Sequence, residues 1–260
     1  MSQPLFTPDI DHLITEDDEP VDNIFSEKQQ RLLTEPLYTS WQGPGEGRTF
    51  VAMANVGVFY IAKNPAIVPD ALLSLDVELP DELWGKEHRS YFLWEYGKPP
   101  DVVIEVVSNK IGEEDGEKLK KYARMRVVYY VIYDPEQQIS EEMLRVYRWE
   151  RFNYVREDSA YFPDVKLGMT LWEGEYENFQ ATWLRWVDEQ GNLIATGKER
   201  AEKERKEKEK ERAEKEKERK EKVAAQRRAK KECKEKEAAL QRAEKLAARL
   251  RELGQDPDKV

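Results

Sequence analysis

The sequence predicts an α/β protein of the α+β kind: a mixed sheet flanked by helices, followed by a long charged C-terminal helix. Two observations carry this. Residues 99–135, PPDVVIEVVSNKIGEEDGEKLKKYARMRVVYYVIYDP, read as a strand, a charged loop, an amphipathic helix and a second strand. That order builds partly parallel sheets. Residues 198–260 instead hold 24 Lys and Arg against 17 Asp and Glu, a net of +7, which leaves residues 1–197 with 19 against 36, a net of −17. An acidic body therefore carries a mildly basic tail, and the body lacks the clustered Lys and Arg of a nucleic-acid footprint.

The elements follow in order. Residues 1–20 are acidic and dotted with proline, which predicts a flexible lead-in to a domain over 21–197. Ile24, Phe25, Leu32 and Leu33 predict a short helix ending before Pro36, with Leu37 to Trp41 extended. Gly43 to Gly47 is a turn, without the ending and following helix of a phosphate-binding loop. Strands are predicted over 49–61, over 66–75 with Pro69 and Asp70 inside, and over 91–96. A helix is predicted over 113–126, with Leu119, Tyr122 and Ala123 on one face. Val127 to Tyr133 is again a strand, 143–149 and 152–156 form an antiparallel pair, 162–171 is extended, and 179–187 is a closing helix or strand.

From 198 to 253 the chain is almost all Glu, Lys, Arg and Ala. Glu202/Lys206, Glu204/Lys208, Glu211/Lys215, Glu216/Lys220 and Glu218/Lys222 are spaced to pair on a solvated helix. Cys233, Leu240 and Ala247 form a weak heptad seam, so self-association through 223–253 and a protein partner for the charged helix are both open. Gly254 and Pro257 stop the helix, leaving 254–260 as a flexible end. Cys233 is the only cysteine, which excludes a disulfide framework and a cysteine metal site. With no apolar run near ~20 residues and no signal peptide, the expectation is a cytoplasmic protein away from membranes.

The candidate chemistry lies in carboxylates. Glu105 sits inside VVIEVV, a strand apolar enough to be covered on both faces, where an ionised carboxylate needs a partner or a metal. Asp101 shares its face by the two-residue period, and a neighbouring strand can bring Asp70 beside it. Such oxygens suit Mg²⁺ or Mn²⁺. The simpler readings are that Asp70 and Asp101 cap strand starts after proline, and that Glu105 is ion-paired with Lys118 or Arg124. Lys118, on the following helix, can reach over the strand end to orient a water and stabilise phosphate charge; otherwise it is a solvated lysine beside Lys120 and Lys121. Ser108 is a loop cap or a hydrogen-bonding support, and Tyr122 reads as core. His12 and His88 lie in polar segments and suggest no histidine chemistry.

VPD at 68–70, PDVVIEVVS at 100–108, DGEKLKKYA at 115–123 and YYVIYDPE at 129–136 resemble the Uma-type restriction endonuclease domain of the PD-(D/E)xK nuclease superfamily. WEGEYENFQATWLRW at 172–186 is similar to that family's closing segment, and the resemblance spans about 20–195. It implies a restriction-endonuclease-like core with metal-binding carboxylates on adjacent strands. It makes Asp70 the motif's Asp and Glu105 its second acid. Val107 stands where the superfamily's simplest pattern has Lys, so Lys118 of GEK takes that role, with Lys110 as rival. Glu27 matches the superfamily's helical Glu. Asn109 and Val128-Tyr129 depart from the family's frequent Pro and Pro-Glu. The expectation is Mg²⁺- or Mn²⁺-dependent hydrolysis of DNA with Asp70 and Glu105 on the metal. The alternative is a catalytically inactive nuclease-like domain serving as a protein-interaction module on a helical rod.

Overall fold

In the computed structural model the described residues are 9–13, 23–45, 47–109 and 113–252. Lys110, the segment 254–260 and most of the lead-in 1–20 lie outside them. The chain divides into two compact units, Met1–Arg200 and Ala201–Val260. Helix α1 spans Ile24–Thr39, and strands β1 Phe50–Ala54, β2 Val58–Phe59, β3 Ala71–Leu75 and β4 Tyr91–Phe92 follow. A single helical turn, α2 (Leu93–Tyr96), precedes β5 (Val102–Val106), α3 (Glu117–Met125) and β6 (Tyr129–Tyr133). The remaining strands are β7 Leu144–Glu150, β8 Asn153–Glu157, β9 Tyr161–Phe162, β10 Leu167–Tyr176 and β11 Phe179–Val187, and the last helix is α4, Gly197–Glu252. No helix among the described residues is long and apolar enough to cross a membrane.

Six strands form one sheet in the order β1-β3-β5-β6-β7-β8. Only β5 and β6 run parallel, joined through α3 as the strand–helix–strand stretch predicts. The other neighbours are antiparallel. Side chains of β5 alternate between two cores. Val102, Ile104 and Val106 pack with Leu33 and Leu37 of α1 and with Leu184 and Trp186 of β11. Val103 and Val107 pack on the other face with Tyr122 and Ala123 of α3 and with Tyr130 and Ile132 of β6. A strand covered on both faces has no use for polar alternation, which is why its sequence is so uniformly apolar.

Three local predictions are corrected. The first helix does not stop before Pro36 but runs through it to Thr39. Burial of Leu37 and the Tyr38 hydroxyl, bonded to both the N–H and the C=O of Ala52, hold the last turn against the missing proline donor. The strand foreseen over 66–75 is only Ala71–Leu75, because Pro69 lacks an N–H and Ile67 makes just an isolated bridge to Val58. After Phe92 the chain turns into α2 instead of staying extended, and Gly97 at φ +74° closes it. The segment left as helix or strand is β11, paired with β10 along its whole length.

Helix α1 also covers the free edge of β11. The Gln29 amide donates to Leu184 C=O at 2.8 Å and accepts from Leu184 N–H at 3.0 Å, acting as one more strand residue. Trp186 Nε1 donates to Leu33 C=O at 2.8 Å beside it. Helix α4 begins with a capping box in TGKE: Thr196 Oγ1 accepts from Glu199 N–H and Glu199 accepts from Thr196 N–H. The same Glu199 carboxylate takes a two-pronged hydrogen bond from the buried Arg185 guanidinium at 2.9 and 2.7 Å. Further along α4, Glu204–Lys208, Glu211–Lys215, Glu216–Lys220 and Glu218–Lys222 pair as their spacing predicts, and none of the helix's residues is buried.

Gln29→Ala leaves both backbone groups of Leu184 without a buried partner. It should cost ~2–6 kcal/mol at ~1–3 kcal/mol per unsatisfied group. The check is the urea unfolding midpoint, which should fall with an unchanged slope; an unmoved midpoint would show that water satisfies that edge.

Candidate active site at the ends of β3 and β5

Strands β3 and β5 are each introduced by Pro-Asp, and the two aspartates do the same backbone job at opposite ends of the pair. Backbone pairing runs from Ala71↔Ile104 to Leu73↔Val102. Past one end of it, Asp70 Oδ2 accepts the Val106 N–H at 2.7 Å. Past the other, Asp101 Oδ2 accepts the Leu75 N–H at 2.7 Å. Both therefore cap strands, as their position after proline suggests. Their surroundings separate them.

Asp101 is closed off by Lys98, whose ammonium lies 2.5 Å from Oδ2 and also donates to Leu75 C=O at 2.9 Å. It sits four residues from Glu105, ~13 Å along an extended chain, so the structure does not bring these two acids together. Asp70 is different. Continuing the antiparallel register by one residue sets Asp70 directly opposite Glu105, where neighbouring strands are ~4.8 Å apart. Its other oxygen, Oδ1, accepts from Gln30 Nε2 of α1 at 2.8 Å.

Glu105 is 1% exposed and faces α3. Tyr122 donates its hydroxyl to Oε1 at 2.6 Å, and Lys118 donates its ammonium to Oε2 at 2.9 Å. Of the two bases the sequence offers as partners, Lys118 takes the ion pair. One helical turn before it, Glu114 Oε1 lies 3.5 Å from the same ammonium. Burial pushes the Glu105 carboxyl up to about 8, opposed by the Lys118 charge, reinforced by the charge of Asp70 and opposed again by the Tyr122 hydrogen bond. For Lys118, burial pulls downward, but the charge and hydrogen bond of Glu105 outweigh it and the ammonium is held above its ordinary value.

Asp70, Glu105 and Glu114 stand around the single Lys118 ammonium, and a divalent cation would invert that local balance. No group of three or more His, Cys, Asp and Glu with metal-holding geometry occurs among the described residues. Mg²⁺ keeps several waters and takes one or two protein carboxylates plus substrate phosphate, so the residues that could hold one here are Asp70 and Glu105.

The remaining candidates fall elsewhere. Glu27 lies in the first turn of α1, ion-paired with Arg31 at 2.8 Å. The α1 residue that reaches Asp70 is Gln30 instead, and a signal for it existed: it shares a helix face with Leu33 and Leu37, so an amide is aimed where the core begins. Ser108 lies in the loop after β5, its hydroxyl accepting from Asn109 and its carbonyl from Gln138. Glu114 also escaped sequence reasoning, because a loop reading GEEDGE gives no sign that one of its acids is buried.

The model of the Uma2 family, described as "Putative restriction endonuclease", matches residues 17–170, more than half of the chain. The chain belongs to this family. No curated protein matches it. The Uma2 match runs from before α1 into β10 and so includes Gln30, Asp70, Glu105, Glu114 and Lys118. It leaves out β11 and α4, although the closing motif seen in the sequence lies on β10 and β11.

The raised carboxyl of Glu105 sets a sign for stability. A folded state that favours the protonated acid is fully stabilised below the ordinary value of 4.5 and loses that advantage as pH rises toward about 8. Without added metal, the unfolding free energy should therefore decline over that range by ~1 kcal/mol per pH unit. Glu105→Gln should flatten the decline. Denaturant titrations at several pH values check this, and equal slopes in both proteins would count against a protonated Glu105.

Proposed function

We propose that the Met1–Arg200 unit is a divalent-metal-dependent phosphodiesterase that cuts DNA. What carries the reading is one arrangement: Glu105, buried in β5, opposite Asp70 of the next strand and bonded to Lys118 of the following helix. Membership of a restriction-endonuclease-like family supports DNA as the substrate class. Asp70 and Glu105 would hold Mg²⁺ or Mn²⁺. When bound, such an ion polarises a phosphoryl oxygen and lowers the pKa of an attached water. The chain's own residues prepare the site. Gln30 and the Val106 N–H fix the Asp70 carboxylate, and Tyr122 fixes that of Glu105. Lys118 supplies a fixed positive charge to orient the attacking water and stabilise charge developing on phosphorus-bound oxygens, the task of a preorganised donor.

A second reading is favoured by the ion pair itself: Lys118 already neutralises Glu105 without any metal, and Val107 stands where the simplest nuclease pattern has its lysine. On that reading the domain is a catalytically silent interaction module joined to a charged helix whose Leu240 and Leu246 are exposed and available for self-association or a protein partner. Mg²⁺ and Mn²⁺ calorimetry combined with plasmid nicking separates the two.

The nuclease reading expects metal binding and metal-dependent nicking, both abolished by Asp70→Ala and by Glu105→Ala. Lys118→Ala should keep metal binding while lowering the turnover ~10²–10³-fold, the typical loss of one electrostatic donor. Nicking that survives both carboxylate substitutions would place the chemistry elsewhere. An absence of metal binding and nicking in the unaltered protein would select the silent module.

A further inference from the structure

Glu114 is the group at this site that neither the fold nor the proposed chemistry has yet used. It lies in the turn before α3, its backbone carbonyl accepting from the Tyr130 hydroxyl at 2.7 Å. Its side chain is only 7% exposed, yet Oε2 has no hydrogen-bond partner among the described residues. A buried carboxylate oxygen left without a partner is costly. Only 3.5 Å from its other oxygen stands the Lys118 ammonium, which at the same time sits on Glu105 at 2.9 Å. The lysine is thus suspended between two buried acids and leans toward one of them.

That lean is a problem for any divalent cation taken up by Glu105. The ammonium occupies Oε2, and two cations on one buried carboxylate repel strongly where the dielectric is low. The Lys118 side chain is 28% exposed and so keeps partial access to water, but Glu114 offers it an acceptor that leaves the charge beside the site. From the turn before α3, the Glu114 side chain comes back to the same ammonium at 3.5 Å.

We propose that Glu114 is a positioning residue that receives Lys118 when Glu105 turns to a metal. The lysine shifts from Glu105 to Glu114, the orphaned oxygen of Glu114 gains a donor, and the ammonium remains beside the reaction centre. Glu114 then decides whether Glu105 is free to bind an ion. This rests on Asp70 and Glu105 being the metal-holding pair. It adds a role for Glu114 that acts wholly through Lys118.

The test is a double-mutant cycle in metal affinity, read by Mn²⁺ calorimetry on the full chain with no turnover involved. Glu114→Gln should weaken Mn²⁺ binding roughly tenfold, because Lys118 is then left on Glu105. Lys118→Met should tighten binding by removing the competitor. In the Lys118→Met background, Glu114→Gln should change the affinity by no more than about twofold. Glu114→Asp, which keeps the charge, should recover most of the loss and guards against a Gln variant that folds poorly. An equal loss in both backgrounds would make Glu114 a direct ligand or a general electrostatic influence and overturn the handover, as would no loss in either. If the unaltered protein binds no Mn²⁺, the metal-holding pair itself is refuted. The two failures are therefore distinguishable.

Discussion

A carboxylate at position 105 has to exist inside a strand that both faces of the sheet need to be apolar. Val103 and Val107 on its own face, and Val102, Ile104 and Val106 on the other, are enclosed, and Glu105 itself is buried with them. Everything near it answers that constraint. Tyr122 and Lys118 are directed at its two oxygens from one helix, at 2.6 and 2.9 Å. Those contacts tie α3 to β5 alongside the packing of Tyr122, Ala123 and Met125, while the side of the crossover follows the general handedness of parallel connections. Replacing such a buried group with an apolar one is often neutral or better for stability, so the ion pair by itself is no argument for stability.

The second acid reaches the site by a different route. Pro-Asp occurs before β3 and before β5, and each aspartate closes a strand end in the same way. The backbone thus already requires a carboxylate at Asp70, and the antiparallel register then sets it opposite Glu105. Asp101 has the same local duty but the opposite end of the pair and its own lysine. Identical dipeptides have diverged because the strands run in opposite directions. Gln30 then holds the second oxygen of Asp70.

Strand β5, helix α3 and strand β6 were legible because their periods are strong: an unbroken apolar run, an amphipathic face on Leu119, Tyr122 and Ala123, and another apolar run. Glu105 stood out for the same reason, as the one charge in such a run. Glu114 did not, because an acid in a loop of acids looks solvated until tertiary packing covers it, and Gln30 showed only through the helix face it shares with Leu33 and Leu37. Pro36 misled through a rule that is local, while Leu37 and Tyr38 are held by the core and by Ala52. Capping of α4 by Thr196 and Glu199 had a readable signature, but the Arg185 guanidinium that shares Glu199 comes from β11, and no local pattern connects them.

The charge distribution bears on how the site would meet a polyanion. Residues 1–197 carry a net of −17 and so repel nucleic acid at long range, whereas a +7 segment follows. Within the body, a phosphate would have to be drawn by local charge: two carboxylates with their cation, and the Lys118 ammonium beside them. Local attraction of that kind is screened beyond ~8–10 Å at physiological salt. It acts only once the strand is already against the β3 and β5 ends. Selection for a correctly charged centre would then operate at contact, not on approach; under the proposed handover, a site whose lysine rests on Glu105 until an ion arrives would offer a bound phosphate a centre of the right charge only in its loaded state.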